Sequence, residues 1–169
     1  RIFTVNPAFE LSEYQRRLAK VRSAMSDKEL DALVIGDPAN MNWLTGFDAW
    51  SFYVPQVMLV LHDHPPVWLG RQMDAGSVLL TTHLGAESVR PYAEDLVQRD
   101  GVHPMDAIGT SLAEFHLEGK RIGFESDTYF FSFKAVERLQ TKLSGAIWVD
   151  ADLLVNWCRA VKSDVEIEV

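Results

Sequence analysis

Residues 31–47 read DALVIGDPANMNWLTGF, and the order of features in this stretch sets the layer type. Ala32 to Ile35 form a short apolar run closed by Gly36 and Pro38, the pattern of a strand buried on both faces. Pro38 suits the first turn of a helix, because its fixed φ is helical and its missing N–H is not needed there. Gly46 is placed to stop that helix in a left-handed turn. A buried strand leading straight into a short helix opens an α/β layered arrangement.

Working outward, LSEYQRRLAKVRSAMSDKEL (11–30) has the spelling of a capping box at Ser12–Gln15 and sets Leu11, Tyr14, Leu18, Val21 and Met25 at helical spacing. VMLVLH (57–62) and PPVWLG (65–70) read as two strands joined through DHPP, a hairpin. A helix is expected over RQMDAGSVLLTTH (71–83) and a strand over AESVRPY (86–92). HPMDAIGTSLAEFHLEG (103–119) carries Pro104 in its first turn and Gly119 at its end, so a helix is expected throughout. KRIGFES (120–126) is then a strand, SFKAVERLQTKLSG (132–145) a helix closed by Gly145, and AIWVDA (146–151) a last strand. This alternation predicts an α/β domain whose helices flank a sheet, and the hairpin makes that sheet mixed.

The 169 residues are 47% hydrophobic and 24% charged, which suits one globular domain with a core and excludes a disordered chain. The longest apolar run, Val57–Leu61, is too short to cross a bilayer, and no cationic start precedes an apolar stretch. A single cysteine, Cys158, rules out an internal disulfide and agrees with a cytoplasmic setting. The net charge of −8, with scattered basic residues, argues against nucleic acid or an anionic membrane as partner. Residue 1 is Arg, and RAVKSDVEIEV (159–169) contains a capping box, Ser163–Glu166, with few residues after it. The expectation is one domain over 1–161, with 162–169 opening a linker helix toward a further domain.

Chemistry-bearing motifs are sparse. HDH at His62–His64 precedes two prolines and reads as a polar hairpin tip; His103 reads as a helix-entry residue, and His83 and His116 as surface positions. GTSLA around Ser111 lacks the second glycine of a nucleophile elbow, and GRQMDAG lacks the lysine of a phosphate-binding loop. Cys158 reads as a small buried apolar residue, and Glu125 and Asp127 as a turn and helix-cap pair. No catalytic or metal-ligating residue is assigned. The aromatic stretch is the exception. Trp43, Leu44 and Phe47 are expected to fill space beneath the sheet, whereas Trp50, Phe52 and Tyr53, between Gly46 and Pro55, are expected to face a ligand or an interface.

Two stretches carry a family resemblance. NMNWLTGF (40–47) matches an Asn-x-x-Tyr-Leu-(Ser/Thr)-Gly pattern with Trp43 in the tyrosine place, and Arg159 to Ile167 match R-x-x-K-S-x-x-E-I. Together with the element order they resemble the amino-terminal domain of the creatinase/prolidase (M24, pita-bread) hydrolases. The resemblance implies a mixed sheet flanked by helices, with a ribonuclease H-like motif. It also implies that the Asp, Asp, His, Glu, Glu set binding two Mn, Co or Zn ions lies in a separate carboxy-terminal catalytic domain, although creatinase itself works without metal. On this resemblance the domain has no cofactor of its own, the partner is the chain's own catalytic domain, and the assembly is a homodimer in which a loop reaches the other subunit's active site. In creatinase that loop presents a Phe and an Arg; Phe52 matches the first and Val54 stands at the second, so the cation is lost. GFDAWSFYVPQ (46–56) and WLGRQMDAG (68–76) are most similar to the ectoine hydrolase branch, where Arg71 is placed to supply a cation. The substrate-binding set expected is therefore Trp50, Phe52, Tyr53 and Arg71, for a small molecule or peptide. Xaa-Pro peptidases and creatinase are the alternatives, and a stand-alone binding module is the reading of another class.

Overall fold

The computed structural model describes residues 7–49, 51 and 53–168. Six strands form one mixed sheet: β1 (Ala32–Ile35), β2 (Val57–Leu61), β3 (Val67–Arg71), β4 (Val89–Tyr92), β5 (Arg121–Phe124) and β6 (Ile147–Asp150). Their spatial order is β4-β3-β2-β1-β5-β6. β1–β2 and β2–β3 are antiparallel, while β3–β4, β1–β5 and β5–β6 are parallel. The expected α/β class with a mixed, helix-flanked sheet is what the chain adopts. The helices are α1 (Leu11–Asp27), α2 (Pro38–Thr45), α3 (Ala75–Thr81), α4 (Pro104–Ala113), α5 (Phe133–Lys142), α6 (Leu154–Ala160) and α7 (Asp164–Ile167).

The central strands feed two cores. Because successive side chains point to opposite faces, Ala32 and Val34 of β1 join one cluster, with Leu59, Leu69 and the apolar stripes of α4 and α5. Leu33 and Ile35 join the other, with Met58, Val60, Trp68, α1, α2 and α6. Every residue of β1 and β2 is buried, which explains their unbroken apolar spelling. Pro91 sits in β4, an edge strand, where a missing N–H costs no ladder bond on the open side.

Several local expectations are corrected. Ser12 and Gln15 do not form a capping box: Glu10 is the N-cap, without a side-chain bond, and Ser12 lies inside α1. The helix expected over 103–119 stops at Ala113. Leu117 must turn back into the core, and His116, at φ 53°, makes that reversal before Gly119 bonds the Gly145 carbonyl. The helix of 132–145 likewise ends at Lys142, short of Gly145. β4 covers only the second half of 86–92, since residues 86–88 form a 3₁₀ turn. α6 has no counterpart among the expected elements: LVNWCRA carries a single buried turn's worth of pattern, too little to declare a period. The capping box at Ser163–Glu166 is present, with both reciprocal bonds.

Candidate functional site

The aromatic stretch is built as an excursion between two buried anchors. Asp37 caps α2 by accepting from the Ala39 and Asn40 amides, and Pro38 takes the first helical position. At the far end Gly46 adopts φ 84°, and a Cβ there would lie 2.7 Å from the Tyr14 hydroxyl and 2.9 Å from the Thr81 carbonyl oxygen. Phe47 then drops into the core against Trp68, ring centroids 5.7 Å apart. Trp43 and Leu44 are buried with it, as expected of them beneath the sheet. Val54 is the second anchor, and Tyr92 donates its hydroxyl to the Pro55 carbonyl at 2.6 Å, fixing the return to β2. Between the anchors Tyr53 is 63% exposed. Trp50 and Phe52 lie outside the described residues.

Arg71 ends β3 and pairs in register with Tyr92 of β4. Its guanidinium bonds both Asp74 carboxylate oxygens, at 3.3 and 3.4 Å, and lies 3.9 Å from Glu94. Asp74, with smaller help from Glu94 and Tyr53, raises the Arg71 pKa. Burial pushes the Tyr92 phenol up as well. The structure thus brings Tyr53 and Arg71 to the same end of the sheet, with the cation already held by two carboxylates. Val54 faces the core.

A second constellation lies at the start of α7. Glu166 accepts from the Trp43 indole at 2.5 Å and from the Ser163 amide at 2.8 Å. Arg17, only 2% exposed, donates to Glu13 at 2.8 Å and to the Trp43 carbonyl at 2.7 Å. Its Nη2 lies 3.2 Å from Glu166, an ion-pair distance off the hydrogen-bond direction. The guanidinium also stacks over Phe9, 4.3 Å from the ring centre. Nearby, Arg159 donates to Asn40 Oδ1 at 2.7 Å, while Asn40 Nδ2 donates to Glu125 and to Asn156. Glu125 also accepts the Gly36 and Asp37 amides, both at 2.8 Å. The two motif stretches therefore meet residue by residue: Asn40 with Arg159, Trp43 with Glu166. Among the described residues no three His, Cys, Asp or Glu side chains gather as a metal site requires.

The sequence profile described as Creatinase/Prolidase N-terminal domain matches residues 17–161. The chain belongs to this family. Among curated relatives, the ectoine hydrolase of Halomonas elongata is 45% identical over 165 residues, 97% of this chain and 41% of its own length. An uncharacterized hydrolase/peptidase of Sinorhizobium fredii is 38% identical over 160 residues, 94% of this chain and 41% of its own. The chain thus spans about two fifths of the curated relatives it matches. Solved structures share the creatinase/prolidase N-terminal fold at low identity. A proline dipeptidase from Streptococcus pneumoniae superposes with TM-score 0.68 at 22% identity, covering 86% of this chain and 98% of that one. Dipeptidase PepE from Mycobacterium ulcerans gives 0.69 at 20%, covering 95% and 40%.

The box at Ser163–Glu166 is legible in the sequence, but the sharing of Glu166 with Trp43 and Arg17 is not. Glu125, expected as a cap residue, is instead buried beneath the α2 N-terminus. Burial raises the Glu125 pKa to about 7, against the pull of the Asp37 amide, Asn40 and the Gly36 amide. Glu13 goes the other way: the Arg16 hydrogen bond, opposed by burial and aided by Arg17 and Ser163, lowers it to about 2. The signs follow. Glu125 contributes stability that is complete below the ordinary 4.5 and lost as pH rises through about 7. Glu13 contributes stability that is complete above 4.5 and lost as pH falls through about 2. Between pH 5 and 8 the unmutated chain should lose on the order of 2–3 kcal/mol relative to Glu125→Gln. Urea unfolding of both proteins across that range checks it; parallel pH profiles would refute it.

Proposed function

We propose that this chain is the non-catalytic amino-terminal domain of a C–N bond hydrolase acting on ectoine, and that it shapes the substrate site across a homodimer. The observation that carries the reading is the 45% identity, over 97% of the chain, with an ectoine hydrolase. The meeting of the two motif stretches supports a bracket role, since Arg17, Trp43 and Glu166 hold the start of α7 firmly on the body of the domain. In this reading Trp50, Phe52 and Tyr53 cover the neighbouring subunit's active site and Arg71 faces the substrate carboxylate. Exclusion of water by such a cover strengthens electrostatics at the reacting centre, and aromatics supply it with few rotors to freeze. The relatives' remaining length would supply the hydrolytic machinery, with two divalent ions where the family's metal set is kept. Hydrolysis adds one water across a ring C–N bond, so the product gains the mass of one water.

The experiment uses the full-length protein. Ectoine, creatine and Xaa-Pro dipeptides are supplied in parallel, and ring-opened ectoine is the expected product. The 38% identity to a hydrolase/peptidase makes peptide cleavage the specific competing outcome. Subunits carrying Phe52→Ala are then mixed with subunits lacking a catalytic ligand. In a two-fold dimer with a loop acting in trans, one site of each mixed dimer carries both defects and the other neither. Random exchange of equal amounts should restore about a quarter of the unmutated activity. No recovery, despite demonstrated subunit exchange, would return the loop to its own subunit.

A further inference from the structure

α6 is apolar on two opposite sides. Leu154, Val155 and Cys158 are buried in the core that α6 shares with α1 and α2. The other side, with the residues that flank the helix, carries Leu153, Asn156, Trp157, Ala160 and Val161. That is the i, i+3, i+4, i+7, i+8 spacing of a buried helix face, yet all five are exposed. Trp157 is 72% exposed, Val161 70% and Leu153 47%. None of the five is charged, in a chain that is 24% charged. The polar member, Asn156, has its side-chain oxygen on Asn40 at 2.9 Å. A helix hydrophobic on every side belongs in an interior, and gathered exposed apolar side chains mark a surface that meets something.

The backbone gives a second observation. Leu153 holds φ 59° and ψ 4°, a left-handed conformation that costs an L-residue and suits Gly or Asn far better. That cost holds an apolar side chain out in water. The face is also fixed in place. Lys20 donates to the Cys158 carbonyl at 2.6 Å and to the Val161 carbonyl at 3.2 Å, tying the end of α6 to α1. A surface already ordered loses little freedom when it is covered.

We propose that this face seats the part of the same subunit that follows residue 169, whose own apolar surface covers Leu153, Trp157 and Val161 and supplies an acceptor for the Trp157 indole N–H. The inference rests on the reading of this chain as the amino-terminal part of a longer hydrolase, and it names the surface through which the two parts meet. The ectoine hydrolase of Halomonas elongata is matched over only 41% of its length, so most of such a protein remains to pack against this domain. Two residues after Val161 the Ser163–Glu166 box opens α7, and Glu166 is bound by Trp43. A segment tethered so near meets the face at an effective concentration on the order of millimolar. A second copy lacks that advantage, and the net charge of −8 sets two copies against each other.

Hydroxyl-radical footprinting of the 169-residue chain beside the full-length protein tests the seat. Trp157 should oxidise readily in the first and at least about fivefold more slowly in the second, as at the packed centre of an interface. A benzoylphenylalanine at position 157, in dimers mixed from ¹⁴N- and ¹⁵N-labelled full-length subunits, identifies the cover. Its adducts should join position 157 to peptides beyond residue 169 that carry the same isotope. Leu153→Asn should hold or raise the Tm of the 169-residue chain, because Asn tolerates the left-handed backbone, and lower the Tm of the full-length protein. Equal oxidation in both proteins, mixed-isotope adducts, protection of the 169-residue chain that grows with its concentration, or equal Tm shifts would each overturn the proposal. None of these readouts uses turnover. Ectoine hydrolysis by a protein whose Trp157 stays exposed refutes the seat and keeps the reaction; a covered Trp157 without ectoine turnover does the reverse.

Discussion

Arg17→Leu should destabilise the domain by about 3–5 kcal/mol, the usual cost of removing one partner from a buried ion pair. The guanidinium serves Glu13, Glu166 and the Trp43 carbonyl at once, from a site almost closed to water. Its loss leaves two carboxylates with Arg16 as their only remaining cation among the described residues, 2.8 Å from Glu13 and 3.7 Å from Glu166. Leucine also lacks donors for the Trp43 carbonyl. Chemical unfolding in urea measures the loss, and the double variant Arg17→Leu/Glu166→Gln tests its cause. Neutralising Glu166 relieves one unpaired charge, so the double variant should be more stable than additivity predicts by at least about 1 kcal/mol. A loss below about 1 kcal/mol for the single variant would place the cluster with exposed ion pairs instead.

Gly46→Ala is the second large effect, about 3–4 kcal/mol in total. Part is backbone: an L-residue at φ 84° costs about 1–2 kcal/mol. The rest is contact, because the new methyl would press on the Thr81 carbonyl, which is backbone and yields little, as well as on the Tyr14 hydroxyl. Gly119→Ala isolates the two parts. Gly119 has φ 69°, and a methyl added there would meet nothing within 4 Å, so only the backbone share of about 1–2 kcal/mol is expected. Thermal unfolding of the two variants side by side decides it, and equal losses would remove the contact contribution.

What can be read from the residues divides along physical lines. β1 through β3 are legible because their signals are local: unbroken apolar runs with turn residues between them. Trp43, Leu44 and Phe47 are legible as core for the same reason. The end of α4 is not, because Leu117's burial is a tertiary demand that overrides the glycine stop signal two residues on. Glu125 looks like a turn residue since nothing in its neighbours tells that Gly36, Asp37 and Asn40 will surround it. The junction is only half legible. Ser163 and Glu166 spell a capping box, but their partners Arg17 and Trp43 lie more than a hundred residues away, and one sequence carries no mark of that pairing.

The position of β1 has a bearing on how the chain is made. Its two neighbours in the sheet are β2, which follows soon after, and β5, which begins only at Arg121. As the polypeptide leaves the ribosome, β1 to β4 can pair while the far side of β1 still shows unpaired backbone groups and the apolar side chains of Ala32 to Ile35. Closing a loop of this length is slow relative to local pairing. An open, apolar edge invites pairing with other chains. Translation stalled before Arg121 would therefore leave a nascent chain with a sticky flank and a need for chaperones, and the arrival of β5 ends that exposure.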